Sequence, residues 1–397
     1  MKVAHITAVD MALRYLLLDQ LCAMRDAGYQ VVGISSPGAE RSTLEAAGIR
    51  HIDVPISRRL TPLRDLVSLW KLYCVLRAER FTIVHTHTPK PGLLGQLAAR
   101  MAGVPVIVNT VHGFYFHDGM HPAWRRFYIA LEKVAARNSA VILSVNHEDI
   151  QTAIQERICA PGKITYIGEG IDVVRFDPDQ VDPARVQMKR AELRLPEGVP
   201  VVGFVGRQVR EKGLLDLFAA ARLVRDQVPD AHFLFIGPID DVKADAVYPH
   251  EADAFGIADV SRFTGLRLDL PELYALMYVL ALPSHREGFP RTPMEASAMR
   301  VPCVASDIRG CREAVEDRRN GLLVPQADVN ALATAIVELL TNREYAASMG
   351  AAGREMALER FDERLVFRRV LAEYTRLLNE KGIQPPQIPA PREEVVV

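Results

Sequence analysis

No Gly-x-Gly-x-x-Gly turn follows the first strand pattern of either half; residues 6–13 read ITAVDMAL. Its absence argues against a nicotinamide oxidoreductase, and the absence of a GxxxxGK[ST] loop argues against ATP hydrolysis. Cysteine is sparse. Cys22, Cys74, Cys159, Cys303 and Cys311 are odd in number and scattered, with no Cys-x-x-Cys pair, which points to a reduced, cytoplasmic setting. No apolar run reaches the ~18 residues that span a bilayer, and the opening MKVAHITAVD is a strand pattern without a signal-peptide core. Charge of one sign is also lacking. The formal net charge of −1 gives no whole-chain case for nucleic acid. The balance is uneven, however: residues 1–170 carry 19 Lys+Arg against 14 Asp+Glu, the remainder 29 against 35. Such an N-terminal half suits an anionic membrane surface or a phosphate-bearing substrate, and reads equally as scattered surface charge.

What is present is a rhythm. Short apolar runs at 3–7, 31–35, 49–54, 83–85, 104–109, 141–145 and 164–167 alternate with helical stretches, and the pattern restarts at 201–205, 231–236, 262–264, 280–283, 302–305 and 321–324. Strand–helix–strand at this spacing predicts doubly wound parallel sheets, and 397 residues suffice for two such α/β domains. The expected division is a first domain over 1–170, a Pro/Asp-rich linker over 171–198 and a second domain over 199–360. A final helix over 361–380, expected to cross back to the first domain, and a Pro-rich, disordered tail over 381–397 complete it.

Open sheets of this kind bind ligands beyond the carboxyl ends of their strands, and two stretches there carry chemistry. In GFVGRQVREKG at 203–213, Gly206 opens a loop bearing Arg207 and Lys212 ahead of a helix expected near 214. Two cations beside a helix N-terminus can cradle a diphosphate, or can be solvated surface charge. In SHREGFPRTPMEASAMRVPCVASD at 284–307, Glu287 and Glu295 flank a turn of Gly288, Phe289 and Pro290. Two carboxylates so placed suggest by themselves an acid/base pair of the hydrolase kind. His85 and His87 in VHTHTPKPGLLG would invite a metal, but no third ligand stands nearby in the sequence, so no metal site is expected.

Arg207 and Lys212, followed by IGPID at 236–240, FTGLRLDLPELYALM at 263–277, EGFPRTPMEA at 287–296 and GLLVP at 321–325, resemble the family 4 retaining glycosyltransferases. The resemblance covers nearly all of 1–380. It implies the GT-B fold, two Rossmann-like doubly wound domains facing across a cleft. It implies that Arg207 and Lys212, with Gly206, bind the diphosphate of a nucleotide-sugar, UDP-linked and of the hexose or N-acetylhexosamine class. Glu295 would accept from the ribose hydroxyls. Glu287 and the turn Gly288, Phe289, Pro290 and Arg291 would hold the transferred sugar, and Phe263, Gly265 and Arg267 would lie near the base or phosphates. His112, in NTVHGFYFHD at 109–118, matches the family's histidine beside the reacting carbon. The implied catalytic set is therefore His112, Arg207, Lys212 and Glu287, with no metal or other cofactor.

The combination DMALRYLLL, HTPKPGLLG and HGFYFHD resembles a bacterial subgroup that extends glycans on a polyprenyl diphosphate in surface polysaccharide biosynthesis. Asp10, Arg14, Lys90 and His117 would then face the acceptor. The helical stretch 58–80 gathers Leu63, Leu66, Val67, Trp70, Tyr73 and Cys74 on one face, with Arg58 and Arg59 among its cations. That face either packs on the sheet or docks on the cytoplasmic face of an anionic membrane, with HPAWRRFY at 121–128 as a second Trp/Arg cluster. The chain departs from the family pattern at Arg300, where Gly is usual, at Tyr278 and at Glu169. Alternatives are a nucleotide-sugar 2-epimerase or a phosphorylase of the same architecture, and a non-catalytic sugar-nucleotide-binding subunit.

Overall fold

The computed structural model describes residues 1–57, 61–117, 119–240 and 245–386. They form two compact units: Met1–Gly168 with the segment from Val366 on, and Glu169–Leu365. Residues 171–198 thus pack within the second unit. Arg58, Arg59 and the tail beyond 386 lie outside the described residues.

The first unit holds seven strands: β1 (Lys2–Val9), β2 (Gln30–Ser36), β3 (Arg50–Asp53), β4 (Ile83–His87), β5 (Val106–Val111), β6 (Val141–Ser144) and β7 (Ile164–Tyr166). All pair in parallel, in the order β3-β2-β1-β4-β5-β6-β7. The second unit repeats the plan with β8 (Val201–Val205), β9 (His232–Ile236), β10 (Ser261–Phe263), β11 (Val279–Leu282), β12 (Cys303–Ser306) and β13 (Gly321–Val324). Their order is β10-β9-β8-β11-β12-β13. Every strand expected from the sequence is present, because helices on both faces bury a parallel sheet and leave its strands as near-continuous apolar runs. In each unit the order reverses beside the first strand, between β1 and β4 and between β8 and β11, which is where such sheets bind ligands.

Three details differ from the sequence reading. The first strand runs past the apolar run at 3–7: β1 continues to Val9 and a helix starts at once at Asp10, with a π-helical turn over Leu13–Leu17. The apolar face expected on 58–80 is not the buried one. Helix Pro62–Glu79 packs inward through Ser68, Leu72 and Leu76, whereas Leu63, Leu66, Val67 and Trp70 are 82, 64, 53 and 61% exposed. The spacing 68, 72, 76 is one helical stripe, and the first core cluster of this unit is filled from that side. Finally, Arg300 takes up φ +57, the left-handed backbone that favours glycine, and its guanidinium makes two 2.8 Å bonds to Asp179.

Candidate active site

In the second unit, β8 delivers Gly206 and Arg207, and a short turn over Arg210–Lys212 delivers Lys212. Gly213 follows at φ +69, where an added Cβ would lie 1.9 Å from the Pro283 carbonyl oxygen. Only glycine fits, so the cation loop is pressed against the end of β11. Helix Leu214–Gln227 then starts as expected.

From β11 the chain passes through Ser284 to Glu287, the turn, and helix Arg291–Ala298. Lys212 Nζ lies 2.6 Å from Glu287 Oε1, and the Ser284 hydroxyl donates to the same oxygen at 2.7 Å. The Glu287 side chain is 8% exposed, so both partners compensate a charge largely withdrawn from water. The turn is clamped by Gly310, φ +87, whose added Cβ would meet the Gly288 carbonyl oxygen at 2.5 Å. Phe289 is buried and packs edge-on against Phe361. Pro290 caps the helix. The side chain of Arg291 donates to the Gly170 carbonyl at 3.0 and 2.6 Å through Nε and Nη2. It therefore anchors the helix start.

Glu295, one turn into that helix, receives the Tyr274 hydroxyl at 2.8 Å. Burial pushes its carboxyl above the usual range, and the Tyr274 bond and the nearby Arg291 and Arg175 charges oppose that rise. Arg207 Nη1 bonds Asp240 Oδ2 at 2.8 Å. The Phe263 ring stacks on Phe235 at 4.7 Å within the core. Gly265, φ +69, ties the loops after β9 and β10 by accepting from the Gly237 N–H at 2.8 Å. Arg267, expected near the base or phosphates, is held by Asp269 and Glu192 at 2.5–2.8 Å and braces the helix Pro183–Glu192. Tyr274, Ser284 and Asp240 had no signal of their own in the sequence. Each was legible only as a neighbour of a motif.

In the first unit a cavity of about 760 Å³ opens beyond the ends of β1 and β4, and a smaller one of about 130 Å³ adjoins His112. Of the four residues expected to face an acceptor, Lys90 lines the larger cavity, paired with Asp65 at 2.5 Å. Asp10 is 5% exposed, and its carboxylate instead accepts from the Met11 and Glu40 N–H groups at 2.9 and 2.7 Å, fastening the loop after β2. Arg14 lies 5.5 Å from the Tyr15 ring, and His117 is exposed; neither lines either of these two cavities.

His112 is the end of a buried chain. Its Nε2 is 3.2 Å from His87 Nδ1, His87 Nε2 is 3.0 Å from His5 Nδ1, and His5 Nε2 is 3.4 Å from the Tyr374 hydroxyl. That hydroxyl also meets His85 Nδ1 at 2.7 Å, and His85 Nε2 meets Thr110 at 2.6 Å. The sequence reading saw no third ligand beside His85 and His87. His5 is that third group, because parallel pairing sets it opposite His85, and one ring nitrogen from each of the three lies within 4.8 Å of the others. Hydrogen bonds engage both nitrogens of His5, His85 and His87. Burial holds the rings neutral, lowering His5 to about 3 and His85 and His87 well below 6.5.

The family described as "Glycosyl transferases group 1" matches residues 186–356, and a "Glycosyl transferase 4-like domain" matches 14–170. The chain is 31% identical over 298 residues to the Escherichia coli UDP-Gal:alpha-D-GlcNAc-diphosphoundecaprenol alpha-1,3-galactosyltransferase, covering 74% of this chain and 76% of that one. It is 25% identical over 382 residues to a capsular polysaccharide biosynthesis glycosyltransferase of Staphylococcus aureus, covering 96% and 98%. The fold matches that of an Anabaena protein crystallised with UDP-glucose, at TM-score 0.82 and 20% identity, over 95% of this chain and all of that one.

Proposed function

This chain belongs to the group 1 glycosyl transferases and has their GT-B fold, and from that premise we propose which sugar chemistry it performs. It transfers a hexose or N-acetylhexosamine from a UDP-sugar, with retention, to a glycan carried on a polyprenyl diphosphate, in surface polysaccharide biosynthesis. The observation that carries this reading is the grouping of Arg207, Lys212, Glu287 and Glu295 at the ends of β8 and β11, where the second sheet reverses order. The E. coli relative, whose name specifies UDP-galactose and a diphosphoundecaprenol-linked acceptor, supports the choice of substrates.

In this mechanism the bond from the anomeric carbon to the diphosphate breaks, and negative charge grows on the leaving phosphate. Arg207 and Lys212 meet that charge in a preorganised site, where such donors count for most. Glu287 and the backbone of the turn hold the sugar hydroxyls, and Glu295 holds the ribose. The acceptor oxygen attacks from the face that the phosphate leaves, and its proton passes to a phosphate oxygen. Two fixed cations supply the stabilisation that a divalent ion gives in other enzymes, so no metal is needed. The exposed Leu63, Leu66, Val67 and Trp70 of helix Pro62–Glu79 dock on an anionic membrane, where the acceptor resides.

A panel of UDP- and GDP-sugars, scored for nucleotide release with and without a polyprenyl-diphosphate glycan, tests the reading. Acceptor-stimulated release of UDP, unchanged by chelator, is expected. Release confined to GDP donors, or lost with chelator, contradicts it.

A further inference from the structure

The two cavities of the first unit share part of a wall. Thr88, Pro89 and Glu132 line both the larger cavity and the small one beside His112. Glu132 belongs to helix Pro122–Asn138, whose Trp124, Tyr128, Leu131 and Ala135 also face the larger cavity. These positions are one helical stripe, and a carboxyl in an apolar stripe is costly unless something satisfies it. Among the described residues no side chain hydrogen-bonds to Glu132. Thr88 stands across from it with a second unmet need: its hydroxyl is buried without a hydrogen-bond partner. Its backbone is also strained, at φ +67 for a β-branched residue, the kind of conformation that persists where function holds it.

We infer that Thr88 and Glu132 form the subsite for the attacking hydroxyl of the acceptor, Glu132 accepting its hydrogen bond and Thr88 bonding its oxygen. This rests on the glycosyl-transfer reading above and names the residues that read the acceptor. The acceptor's less polar face lies along the larger cavity, past the Trp124 and Tyr128 rings. Its hydroxyl enters the small cavity beside His112. Before transfer the acceptor hydroxyl donates to Glu132; in the transfer step that hydrogen bond is given up, the hydroxyl oxygen bonds to the anomeric carbon, the carbon–diphosphate bond breaks, and the hydroxyl proton goes to the departing phosphate. Glu132 orients that hydroxyl and is neither consumed nor covalently changed. Burial, with the Asp149 charge adding to it, raises the Glu132 carboxyl to about 7. Asp149 faces it from helix His147–Gln155, while Asp65 and Lys90 line the larger cavity and His112 the smaller. The ionised form, which accepts better, is therefore filled only as pH passes through neutrality.

The test compares acceptor-dependent transfer with the slow hydrolysis of the same UDP-sugar without acceptor, in wild type, Glu132→Gln and Thr88→Gly. Glu132→Gln removes a partly buried charge, and Thr88→Gly relieves the positive φ. Each variant is expected to lower kcat/KM for the acceptor by about ten- to a hundredfold, the loss expected for a charge-assisted hydrogen bond, and to leave hydrolysis within about twofold. The rise of wild-type acceptor kcat/KM around pH 7 should flatten in Glu132→Gln. Variants with full acceptor kcat/KM, or with transfer and hydrolysis falling together, overturn the subsite. A wild-type chain that releases nucleotide from no donor overturns the glycosyl-transfer reading beneath it.

Discussion

Lys212 and Glu287 hold each other at 2.6 Å, with Ser284 on the same carboxylate oxygen. In the proposed mechanism this pair is the cation for phosphate and the carboxylate for sugar hydroxyls, fixed by one another before any ligand arrives. Preorganisation of this kind is the main source of electrostatic catalysis.

Breaking the pair should therefore cost both turnover and stability. Lys212→Ala is expected to slow sugar transfer by about 10²–10³. It should also destabilise the second unit by roughly 1–3 kcal/mol, since Glu287 keeps a largely buried charge with one partner gone. Glu287→Gln should lose comparable turnover with a smaller change in melting temperature. Initial rates and thermal unfolding of the two variants check this.

Tyr274 and Glu295 give a separable effect. Tyr274→Phe removes the hydroxyl that opposes the burial-driven rise of the Glu295 carboxyl. UDP binding should weaken by roughly 1–2 kcal/mol, or five- to thirtyfold, with kcat nearly unchanged. Calorimetric titration with UDP reads the first and steady-state kinetics the second.

The histidine chain sets a pH limit. His5, His85 and His87 have folded-state pKa values below that of the unfolded chain, so below about pH 6.5 the unfolded state binds more protons. Stability is fully present above that value and falls as pH drops toward the folded values, by up to ~1.4 kcal/mol per unit for each histidine. Tyr374→Phe, which deprives His85 and His5 of a shared hydroxyl, should cost about 1–3 kcal/mol at neutral pH. Chemical unfolding of both forms between about pH 4 and 8, spanning the ordinary histidine pKa of about 6.5, measures these changes.

Exposed apolar residues of helix Pro62–Glu79 give the membrane prediction. A Leu66→Asp/Trp70→Asp double variant should fold within about 0.5 kcal/mol of wild type, since neither side chain is buried. Its binding to vesicles containing anionic lipid should drop severalfold in co-sedimentation. Unchanged binding would remove the membrane from the account.

Much of this was legible in the sequence. The strands announce themselves because buried parallel strands are continuous apolar runs, and Arg207, Lys212, Glu287 and Glu295 stand in order after strand ends. What was hidden depends on register and on which side of a helix faces inward. His5 joins His85 only through the pairing of β1 with β4, and the choice left open for the apolar face of 62–79, sheet packing or membrane docking, turns on Ser68, Leu72 and Leu76 being the packed side. Glu132 and Thr88 meet at one wall from distant segments, and a single acidic residue in a helix carries no signal of that. Arg267 shows the converse. It sits in a family motif, yet neighbouring carboxylates take up its guanidinium.

The most direct test of the central claim is the anomeric configuration of the product formed from a UDP-α-sugar and a polyprenyl-diphosphate-linked glycan, read by NMR. An α-linked product, formed by wild type and about 10²–10³ more slowly by Lys212→Ala, is predicted. A β-linked product, or transfer at an undiminished rate by Lys212→Ala, would contradict it.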